Sequence, residues 1–279
     1  MLLSVEGLCK RYKSGVFGTR IVDAVNNVSF GINKGEIFGL IGESGCGKTS
    51  VTKMILGLLK PTGGRILFEG REITNLNQKQ WHTLRKDIQV VFQHPQMTFN
   101  PRKDIYFACA EPVRLYKLNK NMTEEDLVKH MLKRVGIPFD QMKKFPHEIS
   151  GGQAQRISIA RALSLNPKLL ICDEPTSMLD VSVQAQILRL IKDANEKYGV
   201  SMLFISHPLC QALSALKRRL TVLNPALCIV PTFIIAKPSW KATESFRYYL
   251  SRGIFVRKTV GQGIRRSLGI TLHHHLGRV

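Results

Sequence analysis

Strand-like segments alternating with helical ones predict a largely parallel α/β core that carries a helical insertion. Three observations lead there. A glycine-rich stretch, 42–49, joins an apolar strand to a helix. Two further apolar runs, 168–173 and 201–206, are short and continuous, as strands buried on both faces are. From Ile105 to roughly Leu163 the apolar residues fall at helical spacing.

The elements follow in chain order. Leu2 to Leu8, Val22 to Ile32 and Glu36 to Ile41 show strand-like alternation or apolar runs. Ser50 to Leu59 reads as a helix. Arg65 to Gly70 is a strand ended by glycine, and Asp87 to Gln93 a buried-type strand ending in a polar residue. Asn121-Met122-Thr123-Glu124-Glu125 has the composition of a helix start. Lys168 to Asp173 returns to a buried strand, Val183 to Tyr198 is an amphipathic helix, and Ser201 to Ser206 is one more buried strand. No internal repeat and no low-complexity linker interrupts this order.

With 279 residues and 31.4 kDa the chain can bury a full core, as one large domain or two small ones. The net charge of +21 invites a nucleic-acid or anionic-membrane partner, but its distribution matters more. Residues 208–279 hold 12 basic residues against one acid, Glu244, so the last quarter carries about half of the excess. The six cysteines (Cys9, Cys46, Cys109, Cys172, Cys210, Cys228) form no CxxC pair and no disulfide framework, which suits a reduced, cytosolic setting. Met1 to Leu8 is short, contains Glu6, and reads as a strand rather than a signal peptide. No segment offers the ~20 apolar residues needed to span a bilayer. The longest candidate, Ala226 to Ala236, is interrupted by Pro231. Work at a membrane would therefore be peripheral.

Gly42-Glu43-Ser44-Gly45-Cys46-Gly47-Lys48-Thr49 fits G-x-x-x-x-G-K-[ST] at every fixed position, between a strand and a helix. Glycines let successive N–H groups turn toward one anion, and the following helix adds its positive end. Lys48 supplies a mobile cation for β- and γ-phosphates, and Thr49 a hydroxyl for Mg²⁺. Downstream, Lys168-Leu169-Leu170-Ile171-Cys172-Asp173-Glu174 delivers two acids at the C-terminal end of a strand, where open α/β sheets bind ligands. An Asp placed like Asp173 serves Mg²⁺, and a neighbouring carboxylate can polarise an attacking water.

With Ile149-Ser150-Gly151-Gly152-Gln153 added, the chain resembles the nucleotide-binding subunit of an ABC transporter. The family signature L-S-G-G-Q is met with one conservative change. Phosphate loop, glutamine after a strand, signature, Asp-Glu pair, Ser177-Met178-Leu179-Asp180 and a late histidine, His207, occur in the family's order. The match covers about residues 2–207. The resemblance implies a P-loop ATPase core with an antiparallel β subdomain and a helical subdomain at about 105–163. It implies that Tyr12 stacks on adenine, and that residues 42–49 with Ser50 hold the phosphates of ATP. Thr49, Gln93 and Asp173 would serve Mg²⁺, and Gln93 would report the γ-phosphate to the membrane subunit. Glu174 would be the general base, and His207 would contact the γ-phosphate. Ser150, Gly151, Gly152 and Gln153 would bind the nucleotide held by a second cassette, with Asp180 at the dimer seam.

Arg85 to Arg102 resembles the glutamine-loop stretch of peptide/nickel importer ATPases, which usually reads Q-x-P-x-x-S-L-N-P-R. Gln93, Pro95, Asn100, Pro101 and Arg102 are kept, and Thr98-Phe99 replaces Ser-Leu. The resemblance implies import of peptides, nickel or metal chelates. It implies a second ATPase subunit, identical or paralogous, and separate permease subunits. An extracytoplasmic solute-binding protein would act indirectly, and the location would be peripheral, at the cytoplasmic membrane face. Soluble ABC ATPases of DNA repair or translation form a second class, but they usually carry two cassettes or a long coiled-coil insertion, and neither is present. A basic nucleic-acid-binding protein is a third class, motivated by the pI near 10.0. Its binding would fall steeply with salt. Nucleic acid is not the expected partner.

After His207 the family pattern stops. Pro208 stands where an Asp is usual, acids vanish, and Leu223-Asn224-Pro225 and Ile235-Ala236-Lys237-Pro238 break any periodicity. Residues 208–279 are thus an atypical basic segment. A shifted reading frame accounts for so abrupt a change inside a domain; a basic tail that binds anionic lipid or nucleic acid is the alternative. His273-His274-His275 is assigned no role. Loss of the family's last strands predicts a bare sheet edge, poor solubility or a damaged cassette with weak ATPase activity.

Overall fold

The computed structural model describes residues 1–14, 20–42, 45–119, 122–177 and 179–206, together with strands at 219–223 and 232–234. For those last two strands, and for Ser14 and Arg20, the description is of backbone alone. The chain divides into two units, Met1–Pro238 and Ser239–Val279. The second lies outside the described residues, as do Glu43, Ser44, Asn121, Met178, His207 and the His273-His274-His275 run.

Two sheets organise the first unit. The antiparallel one has the order β2 (Arg20–Ile32), β1 (Leu3–Ser14), β4 (Gly63–Phe68), β5 (Arg71–Glu72). The other has the order β10-β9-β3-β8-β7-β6. It comprises β3 (Ile37–Gly42), β6 (Ile88–Val91), β7 (Leu169–Asp173), β8 (Ser201–Ser206), β9 (Arg219–Leu223) and β10 (Thr232–Ile234). All its neighbours pair in parallel except β10, which is antiparallel to β9.

Period-two side-chain direction explains why these strands read as unbroken apolar runs. Phe38 and Leu40 of β3, Leu169 and Ile171 of β7, and Leu203 and Ile205 of β8 share one buried cluster with α1 (Lys48–Ile55) and the antiparallel sheet. The alternate residues Ile41, Leu170, Cys172, Met202 and Phe204 enter a second cluster with α5 (Gly151–Leu163) and α6 (Val181–Tyr198). Charged residues could occupy neither face without loss, so the runs contain none until the strands end.

A third cluster belongs to the helical insertion. It gathers α3 (Ile105–Leu115), α4 (Glu124–Arg134) and the outer face of α5 around Cys109, Val128, Leu132 and Ile157. The helix start expected at 121–125 is found, with Thr123 as cap: its side chain accepts the Asp126 N–H. Burial pushes the Cys109 thiol up to about 12, so it behaves as a small apolar group here.

Several expectations are corrected. The first helix stops at Ile55 instead of Leu59, because Gly57 turns left-handed (φ +68°) and a β-carbon there would strike the Trp81 ring. Trp81 belongs to α2 (Gln78–Leu84), a helix the apolar pattern does not announce, since Trp81 is its one buried residue. The sequence predicts a bare sheet edge, but the edge beside β3 is occupied: β9, from the atypical C-terminal segment, pairs with β3 from Phe38↔Arg219 to Gly42↔Leu223.

Candidate nucleotide-binding site

The parallel ladder brings the predicted residues to one end of the sheet. Leu40 pairs with Ile205, and Ile205 with Asp173; one step on, Ile41 pairs with Ser206. Gly42, Ser206 and Asp173 therefore leave three adjacent strands side by side. β6 lies beyond β7, with Val91 opposite Cys172, and Gln93 follows two residues later. His207 is the next residue after β8 but lies outside the described residues.

The loop after β3 has the conformation an anion cradle needs. Gly45 and Gly47 both have positive φ, +81° and +95°. A β-carbon on Gly47 would lie 2.2 Å from the Ala24 carbonyl oxygen, so β2 closes against the loop and only glycine fits. Gly47 caps α1 without a side-chain hydrogen bond, and a helix N-terminus at the end of such a loop suits an anion. Lys48 is buried, and its Nζ donates to the Gly42 carbonyl at 2.6 Å, folding the cation over the loop. Thr49 is exposed beside it, and Cys46 Sγ lies 3.7 Å from Lys48 Nζ. Glu43 and Ser44 lie outside the described residues.

Glu174 has left-handed backbone, φ +49°, which a non-glycine residue adopts at a cost. Its surroundings hold it there. Its N–H donates to the Ile205 carbonyl at 3.0 Å, and its own carbonyl accepts from Ser177 N (3.2 Å) and Ser177 Oγ (2.9 Å). The strained turn re-aims the chain directly after Asp173. Burial, and after it the neighbouring Asp173, raises the Cys172 thiol to about 12, so the residue before the acids is neutral and packs in the second apolar cluster.

Tyr12 lies on β1 opposite Val22, two residues from the Ala24 carbonyl that meets Gly47. Tyr12 is 39% exposed, and Lys10 Nζ sits 5.2 Å from its ring centroid. An exposed aromatic face beside the phosphate loop is what a stacked base requires.

The signature segment sits on the other core cluster. Ser150 caps α5: its Oγ accepts the Gln153 N–H at 3.2 Å, while Gln153 Oε1 accepts the Ser150 N–H at 3.0 Å. Gln153 thereby takes a local structural part, whereas Ser150 and Gly151 are exposed. A β-carbon on Gly152 would come within 2.7 Å of Val183 Cγ1, so this glycine lets α6 approach α5. Asp180 caps α6 by backbone only, its side chain making no cap hydrogen bond, and it is exposed near Gly151 through Leu179.

Two residues in the quoted motifs acquire meaning only from the structure. Gln155 and Gln96 join the signature helix to the segment that holds Gln93. Both stand in motif stretches, but their partners lie 63 and 53 residues away, beyond any local pattern.

Comparisons with known proteins agree with this geometry. The sequence pattern of the family described as ABC transporter matches residues 25–177. The chain is 45% identical over 200 residues to an oligopeptide transport ATP-binding protein of Bacillus subtilis, covering 71% of this chain and 61% of that protein. It is 43% identical over 209 residues to an oligopeptide transport ATP-binding protein of Haemophilus influenzae, covering 74% of this chain and 63% of that protein. The chain thus spans about three-fifths of the length of these relatives. A solved dimeric ATP-binding cassette, in a post-hydrolysis state with ADP and phosphate, superposes with a TM-score of 0.70 at 28% identity, covering 80% of this chain and 94% of that one. A phosphate loop that excludes any side chain at Gly47, two acids at a strained strand end, a capped Ser-Gly-Gly turn and this similarity together place the chain in the ABC transporter family.

Proposed function

We propose that this chain is the ATP-hydrolysing subunit of an importer for peptides or metal chelates, acting through separate membrane subunits. The observation that carries the reading is the shared sheet end of Gly42, Asp173 and Ser206 beside a loop shaped for phosphate. The relatives are named for oligopeptide transport, which supports a peptide cargo over nickel.

In this reading ATP lies along the loop, its adenine on Tyr12 and its phosphates against the backbone N–H groups of 45–50 and Lys48. Moving from Gly42 O to a phosphate oxygen, the Lys48 ammonium exchanges a neutral acceptor for an anion. Thr49, Asp173 and Gln93 are the residues that would hold Mg²⁺, which when bound neutralises phosphate charge. Glu174 would accept a proton from the attacking water, its carboxylate aimed by the strained backbone. His207 would contact the γ-phosphate.

A second cassette would supply donors for the far side of the γ-phosphate. Ser150 and Gly151 are exposed at a helix N-terminus, so they suit the nucleotide of a second copy or paralogue, while Gly152, expected beside them, is buried against Val183. Asp180, left free of its own cap, would lie along that seam. Dimerisation of the similar cassette supports the arrangement.

A groove of about 450 Å³ between α3, α5 and β6 is lined by Leu58, Gln89, Phe92, Leu115, Tyr116 and Arg161. Leu58 and Leu115 are more than half exposed there. Because Phe92 adjoins Gln93, this groove is the surface we assign to a short element of the permease. Among the described residues no helix is long and apolar enough to cross a membrane; the importer reading itself puts the subunit peripherally at the cytoplasmic membrane face.

The deciding experiment compares ATP turnover of the wild type with Glu174→Gln. Loss of turnover by about 10²-fold or more, with ATP still bound, is expected. Unchanged turnover would remove the assignment of the base.

A further inference from the structure

Two cavities whose linings include none of the nucleotide-site residues meet at one pair of side chains. One, of about 230 Å³, lies between α4, α5 and α6 and is walled by Met131, Ile159 and Ala194. The other, of about 320 Å³, opens beside Asn166 and Pro167. Arg134, Leu163 and Tyr198, the last residues of α4, α5 and α6, line both. Arg134 Cζ stands over the Tyr198 ring, 4.3 Å from its centroid, and Tyr198 is more than half exposed.

Three helix C-termini converge here, and a cation is favourable among their carbonyls. Other side chains already meet that need. Arg156 Nη1 donates to the Val135 and Gly136 carbonyls just past α4, at 3.4 Å each. Asn195 Nδ2 donates to the Val200 carbonyl just past α6 at 2.8 Å. Elsewhere on the insertion Arg114 pairs with Glu124, and Arg161 with Glu111. Arg134 differs: among the described residues it has no hydrogen-bond or ion-pair partner, only the ring. The one acid lining either cavity, Asp193, is held by Lys197 at 3.0 Å. Stacking on a ring uses the face of a guanidinium and leaves its N–H donors pointing outward in its plane. An open donor fork thus stands beside an apolar wall.

We propose that Arg134 and Tyr198 form a binding site for a carboxylate that carries an apolar group, the chemistry of a short peptide's C-terminus and of an amphiphilic acid alike. The carboxylate takes the Arg134 fork, and the apolar group enters the cavity beside Met131 and Leu163. A mostly apolar hollow with one orienting cation is the usual form of a small-molecule site. Occupancy links the end of α4 to the end of α6, and a ligand held only by the folded chain stabilises it. The site stands whether or not the chain hydrolyses ATP.

The test is titration calorimetry on the full chain, with melting temperature followed alongside. Four probes are used: the tripeptide Ala-Ala-Leu, its C-terminal amide, octanoate, and acetate, which has the charge without the apolar group. In the wild type the tripeptide, octanoate or both should bind and raise the melting temperature. The amide and acetate should bind about tenfold more weakly or worse. Arg134→Gln should weaken the acids about tenfold and leave the amide unchanged, and Arg134→Lys, which keeps charge but not the fork, should fall between. Fluorescent-ATP affinity within about twofold of wild type in both variants checks that they fold. Binding of the tripeptide alone would identify a peptide terminus as the source, and of octanoate alone an amphiphilic acid. In the wild type, equal affinity for tripeptide and amide, acetate binding as tightly as octanoate, or no binding of either acid at millimolar concentration would overturn the proposal. Undiminished acid binding by Arg134→Gln would do the same.

Discussion

Gly47 lies so close to Ala24 that a β-carbon on it would approach the Ala24 carbonyl oxygen to 2.2 Å. The antiparallel sheet therefore presses on the phosphate loop, and the loop's shape depends on β2 as well as on its own glycines. Gly47→Ala must adopt a left-handed backbone, costing about 1–2 kcal/mol, and must also push β2 away. We expect a lowered melting temperature and loss of fluorescent-ATP binding, measured on the same sample. Binding within a few-fold of wild type would show that the loop tolerates the displacement.

Ser150 carries two parts that a pair of substitutions separates. Ser150→Ala removes the α5 cap and should cost about 1 kcal/mol in denaturant unfolding. Ser150→Asp restores a capping oxygen, and with it the stability, but places an anion where the second nucleotide's γ-phosphate would sit. Both variants should lose turnover, and only the alanine should lose stability.

The contact of Gly152 with Val183 predicts a compensating pair. Gly152→Ala places a methyl 2.7 Å from Val183 Cγ1, and valine has little rotamer freedom to yield. Destabilisation of about 1–3 kcal/mol is expected. Adding Val183→Ala should recover most of it, giving a favourable coupling in a double-mutant cycle.

Acid should weaken one tie between the sheets. Lys168 joins Glu69 at 2.6 Å and Asp87 at 3.2 Å, and Lys34 joins Glu69 at 3.2 Å. The hydrogen bond from Lys168, then that from Lys34, holds the Glu69 carboxyl below its ordinary 4.5. Folded Glu69 thus binds its proton more weakly than unfolded Glu69. Its contribution is complete above the unfolded value and is lost as pH falls through the lower folded value. These groups are partly exposed, so the effect is about 0.2–1 kcal/mol. Glu69→Gln should flatten that part of the pH–stability curve; an unchanged slope below pH ~4.5 would assign it to other carboxylates.

Some of this was readable from residues alone. The runs 168–173 and 201–206 announce themselves because both faces of β7 and β8 are covered, leaving no polar alternation. α2 does not, since one buried tryptophan makes no periodic face. β1 runs on to Ser14, past the expected end at Leu8, because register shifts after Val5 and Leu8 break the alternation while pairing with β2 continues. The strain at Glu174 leaves no mark in composition: its left-handed turn is imposed by Ile205 and Ser177.

The chemistry of the phosphate loop was settled by eight consecutive residues, because its donors are backbone N–H groups and a following helix end, all local. Which residues stand beside that loop was settled only on folding. Leu40, Ile205 and Asp173 come from strands far apart in the chain, and burial on both faces of the sheet fixes their register. The ties of Gln96 and Gln155 likewise need the helical insertion packed in place. Contacts over such separations form only after the core has offset the entropy of closing the loops between them.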